Sequence, residues 1–263
     1  MTLSLISELN SELKEVYRFR YVVYSFVQTN LKLRYRRSVL GFLWTVLAPM
    51  LHYVIIGVVF SVLMGNRRPD YFAYYFSGAL FFSLISGVLG KAPAVFISNE
   101  HFIKKIYLPK LLFVLNSVSI EFVNFLLSAS ALIILGILSS QFKISIYIFY
   151  TIIPIFLVMA ALLGICCVIG ILTVYFRDIV HIVPVVVQAL FFTTPIVYDE
   201  GMIPEKYFWL IKFNPLSYYL QLFRDPLLYG KLPSASILGL CSLLSLSLLL
   251  VGLGLVKHFD NKI

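Results

Sequence analysis

The stretch "LKLRYRRSVLGFLWTVLAPML", residues 31–51, sets Lys32, Arg34, Arg36 and Arg37 hard against a run that carries no further charge until Arg67. A bilayer sorts such a pattern: Lys and Arg stay at the cytoplasmic interface while an uncharged segment of twenty or so residues enters the hydrocarbon. The composition agrees. Hydrophobic residues make up 60% of the 263 residues and charged residues 13%, against about 45–50% and about 25% in a soluble domain.

Outward from that stretch, uncharged runs recur at 38–64, 71–90, 144–176, 179–198 and 235–256, with another at 111–138 broken only by Glu121. Each is long enough to span. The expected fold is an all-α integral membrane protein with six transmembrane helices, an N-terminal amphipathic interfacial helix and two short re-entrant helices before the last span. With the N-terminus inside, alternation places fourteen of the 21 Lys and Arg residues on the cytoplasmic side and seven outside. That bias predicts cytoplasmic N- and C-termini, although Arg67 and Arg68 run against it. No cleavable signal is expected, because Glu8, Glu12 and Glu15 stand where an apolar h-region belongs. The net charge of +9 follows from this sorting, so no nucleic-acid partner is expected.

Two flanking segments have their own pattern. Over residues 1–33, Leu9, Leu13, Val16, Val23 and Val27 recur at helical spacing with the three glutamates on another face, an amphipathic helix lying on the membrane or packed on a cytosolic partner. Residues 199–233 hold too many charges to span, and Pro204, Pro215, Pro226 and Pro233 divide them into pieces near ten residues. Such pieces read as re-entrant helices over 203–226, which survive at membrane depth only inside protein or beside a water-filled cavity.

The chemistry of catalysis is missing. "GVLGKAP" at 87–93 puts its first Gly too close to Lys91 for a Walker sequence and has Ala92 where a magnesium-binding hydroxyl belongs. His52, His101, His181 and His258 lie in separate segments, and Cys166, Cys167 and Cys241 sit in apolar runs without metal-ligand spacing. The expectation is a non-enzymatic chain with no cofactor or metal of its own. Polar groups inside the spans remain. Glu121 shares a helical face with Ser117, Asn124 and Ser128, and helix packing is favoured over a pathway. A stripe of Ser38, Phe42, Thr45, Pro49 and His52 on the first span, and one of His181, Gln188, Phe192 and Pro195 on the fifth, suit either kinked packing or a glycan passage of aromatic and hydrogen-bonding groups. "SNEHFIKKIYLPK" at 98–110 reads as a short helix capped by Ser98 or Asn99 and ending on Lys104 and Lys105, or as a polar turn.

Four blocks together carry a family resemblance: "RYRRSVLGFLWTVLAP" at 34–49, "SNEHFIKKIYLPK", "YFRDIVHIVPVVVQALFFTTPIVY" at 175–198 and "FNPLSYYLQLFRDPLLYG" at 213–230. The chain resembles the permeases of type-2 ABC exporters, in the branch that exports lipopolysaccharide O-antigen and related cell-surface polysaccharides. The resemblance implies a transmembrane domain over 34–258, a homodimer in the bacterial inner membrane, and a separate nucleotide-binding ATPase subunit that carries ATP and Mg. It implies a coupling helix at 98–107, with Asn99, Glu100, Lys104 and Lys105 toward the ATPase, and an outer gate that includes Asn214, Pro215 and Arg224. The implied substrate is an undecaprenyl-diphosphate-linked polysaccharide, whose diphosphate Arg34, Arg36 and Arg37 are suited to attract. Phe42, Thr45, His52, Gln188 and Phe192 are then candidates for the glycan channel. Export of teichoic acid, capsule or a small amphiphile is the near alternative, and a lipid-modifying enzyme using Glu121 the distant one.

Overall fold

The computed structural model describes residues 14–15, 17–34, 40–64, 70–139 and 145–259. Among these, every regular element is helical: α1 Arg20–Arg34, α2 Trp44–Met64, α3 Tyr71–Lys91, α4 Glu100–Lys105, α5 Leu111–Ser139, α6 Ile152–Tyr175, α7 Ile179–Thr193, α8 Phe208–Lys212, α9 Pro215–Leu228 and α10 Ala235–His258. Four stretches are long and apolar enough to cross a bilayer: Tyr71–Ala94, Leu111–Ile134, Ile146–Tyr175 and Ala235–His258. Val46–Phe60 and Ile179–Thr193 are apolar but shorter. The chain is membrane-embedded.

Helix α3 is the axle. Its tyrosines, serines and glycines make it the least lipid-like of the four spans, and "YFAYYFSGALFFSLISGVLGK" is buried in protein from Tyr71 to Leu89 with few breaks. It packs against α2, α5, α6, α7 and α9. The outer helices present lipid-type side chains instead, among them Ile55 and Val62 on α2, Val185 on α7 and Leu243 on α10. The most extensive helix pairing among the described residues is α6 with α10. A Cβ on Gly164 would strike the backbone carbonyl of Leu248, and one on Gly252 would strike that of Gly164, so both glycines are required for the approach.

Several sequence expectations are corrected here. The run expected to span from residue 38 becomes α-helical only at Trp44, after a 3-10 turn that begins at Gly41 with φ +49°, a conformation only glycine adopts freely. The span expected over 179–198 ends at Thr193, at about 22 Å for its 15 residues. Thr194 precedes a proline and is extended, with φ −94° and ψ 136°, because the ring of Pro195 clashes with a helical predecessor. Pro195 therefore leaves the helical stripe it was assigned to. Pro226 does not divide its segment either, since α9 runs through it to Leu228 and leaves α8 only 5 residues.

Candidate functional site

Residues 194–198 are the centre of the site. They join α7 to the α8–α9 region without regular structure, yet Thr194, Pro195 and Ile196 are buried. Bare carbonyls in such a place cost several kcal/mol each in lipid, and side chains satisfy them. Tyr71 Oη donates to the carbonyl of Val197 at 2.6 Å, and Tyr74 Oη lies 2.9 Å from that of Pro195 and 3.0 Å from that of Tyr198. Arg224 donates from Nη1 to Pro195 O at 2.6 Å and from Nη2 to Tyr74 O at 3.0 Å and Ile196 O at 3.4 Å. Arg224 is only 5% exposed. Its planar fork suits several carbonyls at once, which the single ammonium of a lysine does not. Gly78 makes the room, because a Cβ there would collide with Nη2.

The start of α9 locks onto the same segment. Asn214 caps it, its Oδ1 accepting from Leu216 N at 3.0 Å, while Pro215 occupies the first turn, where a missing N–H is harmless. The Asn214 amide donates to Thr194 Oγ1 at 2.9 Å. The structure thus brings Asn214 and Arg224 onto one extended segment, with Pro215 next to Asn214 at the start of α9. Sequence reasoning missed Tyr71, Tyr74 and Thr194. The available signal was three tyrosines, Tyr71, Tyr74 and Tyr75, at the start of a largely apolar span, since a buried phenol usually finds a hydrogen-bond partner.

At the other end of α3, about 25 Å from Tyr74, the chain continues through 3-10 turns at Ala92–Ala94 and Ile97–Asn99 into α4. Val95 and Phe96 are buried beside Gly170 of α6, where a Cβ would strike both. Neither expected cap operates as a cap. Ser98 Oγ donates back to Ala94 O at 2.6 Å and the Asn99 amide to Val95 O at 2.8 Å, so both tie off the preceding turn. Glu100 pairs with Lys104 one turn on. The hydrogen bond from Lys104, and then its charge, hold the Glu100 carboxyl below the usual carboxylate range, with Arg177 adding to the effect. Phe102, Ile106 and Tyr107 are exposed around these charges. Phe26 of α1 stacks near Phe102 and Phe113, at ring separations of 5.7 and 6.4 Å, tying α1 to α4 and α5.

Gln188 and Phe192 are both exposed on α7 and line one cavity of about 460 Å³ with Phe82 and Phe191. Phe191 meets Phe82 edge-on at 5.3 Å and Phe192 at 5.4 Å. His52 is exposed on α2, with its ring edge-on to Tyr53 at 5.7 Å. The side chains of Arg34, Phe42 and Thr45 lie outside the described residues, as do Arg36, Arg37 and Ser38 entirely. Leu9, Leu13, Val16, Arg67 and Arg68 lie outside them too. Glu121 is 8% exposed, ion-paired with Lys91 of α3, and accepts from the Asn124 amide at 3.0 Å. It joins two helices.

Short helices locked by side chains onto a buried extended segment, on a bundle of apolar spans, are an arrangement that membrane transport proteins use. The chain belongs to the ABC-2 type transporter family, whose model matches residues 21–228. It is 30% identical over 204 residues to an O-antigen export system permease protein RfbA of Klebsiella pneumoniae, covering 77% of this chain and 78% of the relative. The RfbA protein of Myxococcus xanthus is 28% identical over 193 residues, covering 73% and 74%. The polysialic acid transport protein KpsM of Escherichia coli is 20% identical over 234 residues, covering 86% and 89%.

Proposed function

We propose that this chain is the permease subunit of an exporter that moves an undecaprenyl-diphosphate-linked O-antigen polysaccharide across the bacterial inner membrane. Two copies form the conduit, each with six spans and cytoplasmic termini, and a separate ATPase subunit supplies ATP and Mg. The observation that carries the reading is the continuity of α3, which holds the 195–198 segment through Tyr71 and Tyr74 at one end and runs into α4 at the other. A shift of α4 reaches the opposite end of the bundle through a packed helix, as a rigid-body transition requires.

Residues 98–107, with Asn99, Glu100, Lys104 and Lys105, dock on the ATPase. Arg34, Arg36 and Arg37 receive the lipid diphosphate through charge-assisted hydrogen bonds. Gln188 and Phe192, with Phe42, Thr45 and His52, offer a glycan stacking surfaces and neutral hydrogen bonds, weak enough to let a polymer slide. Asn214, Pro215 and Arg224 belong to the gate at the far side. A capsular polysaccharide is the second reading, and the similarity to KpsM, a polysialic acid transport protein, favours a polysaccharide other than O-antigen within it.

Deletion of the gene is expected to remove the surface polysaccharide and accumulate lipid-linked polymer inside the cell; unchanged surface glycan overturns the reading. Replacing the three arginines together by Gln is expected to abolish export with insertion intact. Normal export by that variant removes the diphosphate contact.

A further inference from the structure

Helices α3, α6, α7, α9 and α10 border a cavity of about 280 Å³. Its lining follows α6 from Val158 to Ile169, about 16 Å of helix in the middle of the Ile146–Tyr175 stretch, and α7 from Val183 to Leu190. The space therefore lies at bilayer depth, and its lining runs in the direction in which lipid chains lie. Helix packing leaves it open. Among the described residues, α7 packs on α3 and touches α6 but makes no extensive contact with α10.

The walls exclude water. Every lining side chain is apolar except that of Tyr219, whose hydroxyl is engaged by Cys241 O at 2.9 Å and Ser245 Oγ at 2.6 Å. A trapped water needs several polar partners, and none is on offer. Emptiness is no better, because unfilled volume deprives the lining of its dispersion contacts, and an apolar cavity of about 150 Å³ already takes up benzene. The filler is therefore apolar and comes from the medium at the cavity's edge. Val186, 48% exposed, and Pro215, also exposed, both line the space and reach the surface. That edge is continuous with the lipid-type surface of α7 and α10 that carries Val185 and Leu243. Size sets how much enters. A methylene is close to a water in volume, about 30 Å³, so the space holds about nine of them, the terminal half of one fatty acyl chain. A polyisoprenoid, methyl-branched along its length, is wider and fits less of itself into the same volume.

We propose that this cavity holds one acyl chain of a bilayer phospholipid as a resident part of the fold, wedged between α7 and the α6–α10 pair. The proposal does not depend on what the chain exports. The test uses the full chain in phosphatidylglycerol nanodiscs doped with a phospholipid that carries a diazirine near the end of one acyl chain, with irradiation, digestion and mass-spectrometric mapping of the label. Leu162 and Val183 line the cavity and are only 2% and 8% exposed, so a chain reaches them only from inside it. Label on either is expected, alongside label on exposed side chains such as Leu243. Ala161→Phe fills the space from a buried lining position, and Val186→Trp blocks its edge from an exposed one that the fold tolerates. Loss of the buried label in either variant, with that on Leu243 kept, is the expected result. Buried label unchanged in both variants overturns the proposal. Buried label absent from the native chain overturns it too, whether a second copy covers the edge or the space stays shut. A diazirine-bearing polyprenyl phosphate, tested in the same way, is expected to mark exposed side chains only; label from it on Leu162 or Val183 in place of the phospholipid's assigns the space to an isoprenoid and overturns the acyl chain.

Discussion

Arg224 of α9 lies over Tyr74 of α3, the guanidinium carbon 3.7 Å from the ring centre, while the same side chain donates to the Tyr74 carbonyl. The contact joins residues 150 positions apart in the chain. It puts a desolvated cation on an aromatic face, where the attraction is at its strongest, and makes the pair the clasp that holds residues 195–198.

Arg224→Leu removes the donors to Pro195 and Ile196 and is expected to cost about 3–5 kcal/mol, read by SDS-titration unfolding of the purified protein. Arg224→Lys keeps the charge and loses the fork, so it is expected to recover less than half of that. Gly78→Ala places a methyl group where Nη2 sits. In the Arg224→Leu background the same change is expected to be nearly free, and equal costs in both backgrounds would rule out the clasp.

The α6–α10 seam makes an independent prediction. Gly164→Leu and Gly252→Leu each force apart helices whose backbones touch and are expected to destabilise by about 3 kcal/mol or more. Gly239, on α10 with open space around its Cα, is the control: Gly239→Ala is expected to be neutral or slightly stabilising. The same unfolding titration compares the three.

Glu121 and Lys91 are expected to be coupled. Lys91→Met leaves a buried carboxylate held, among the described residues, by Asn124, at a cost of about 1–3 kcal/mol, since the Lys91 side chain is half exposed. Lys91→Met with Glu121→Leu is expected to regain most of it, because a well-packed apolar pair replaces a buried ion pair at little cost. A double-mutant cycle that comes out additive would separate the two residues.

The Glu100–Lys104 pair confers a pH dependence of known sign. The Glu100 carboxyl titrates lower in the folded protein than in the unfolded chain, because the hydrogen bond from Lys104 favours its charged form. The pair's contribution is therefore complete above the ordinary glutamate value, about pH 4.3, and fades as the pH falls through the lower folded value. Amide exchange over residues 100–105, corrected for the intrinsic rate, is expected to rise only on acidification in the native chain. In Glu100→Gln it is expected to be high throughout, with no step.

Hydropathy made the long helices legible, since α3, α5, α6 and α10 are long runs with almost no charge. It overran at Thr193, because residues 194–198 are as apolar as a span while the proline ring forbids the helix there. Ser98 and Asn99 misled for a related reason: a hydroxyl or amide next to a turn donates back as readily as it accepts forward, and only the position of Ala94 and Val95 shows which. Arg224 was legible as part of a family block, and its partners were not.

What the sequence by itself determined is the solvent: so few charges over so many apolar residues leave a bilayer as the only medium, and the blocks at 34–49, 98–110, 175–198 and 213–230 are those of an exporter permease. Tertiary structure alone decided which buried polar group serves which. Hydropathy sums over neighbours in the chain, whereas the carbonyls of residues 195–198 are satisfied by side chains from two other helices, a pairing that exists only once those helices have packed.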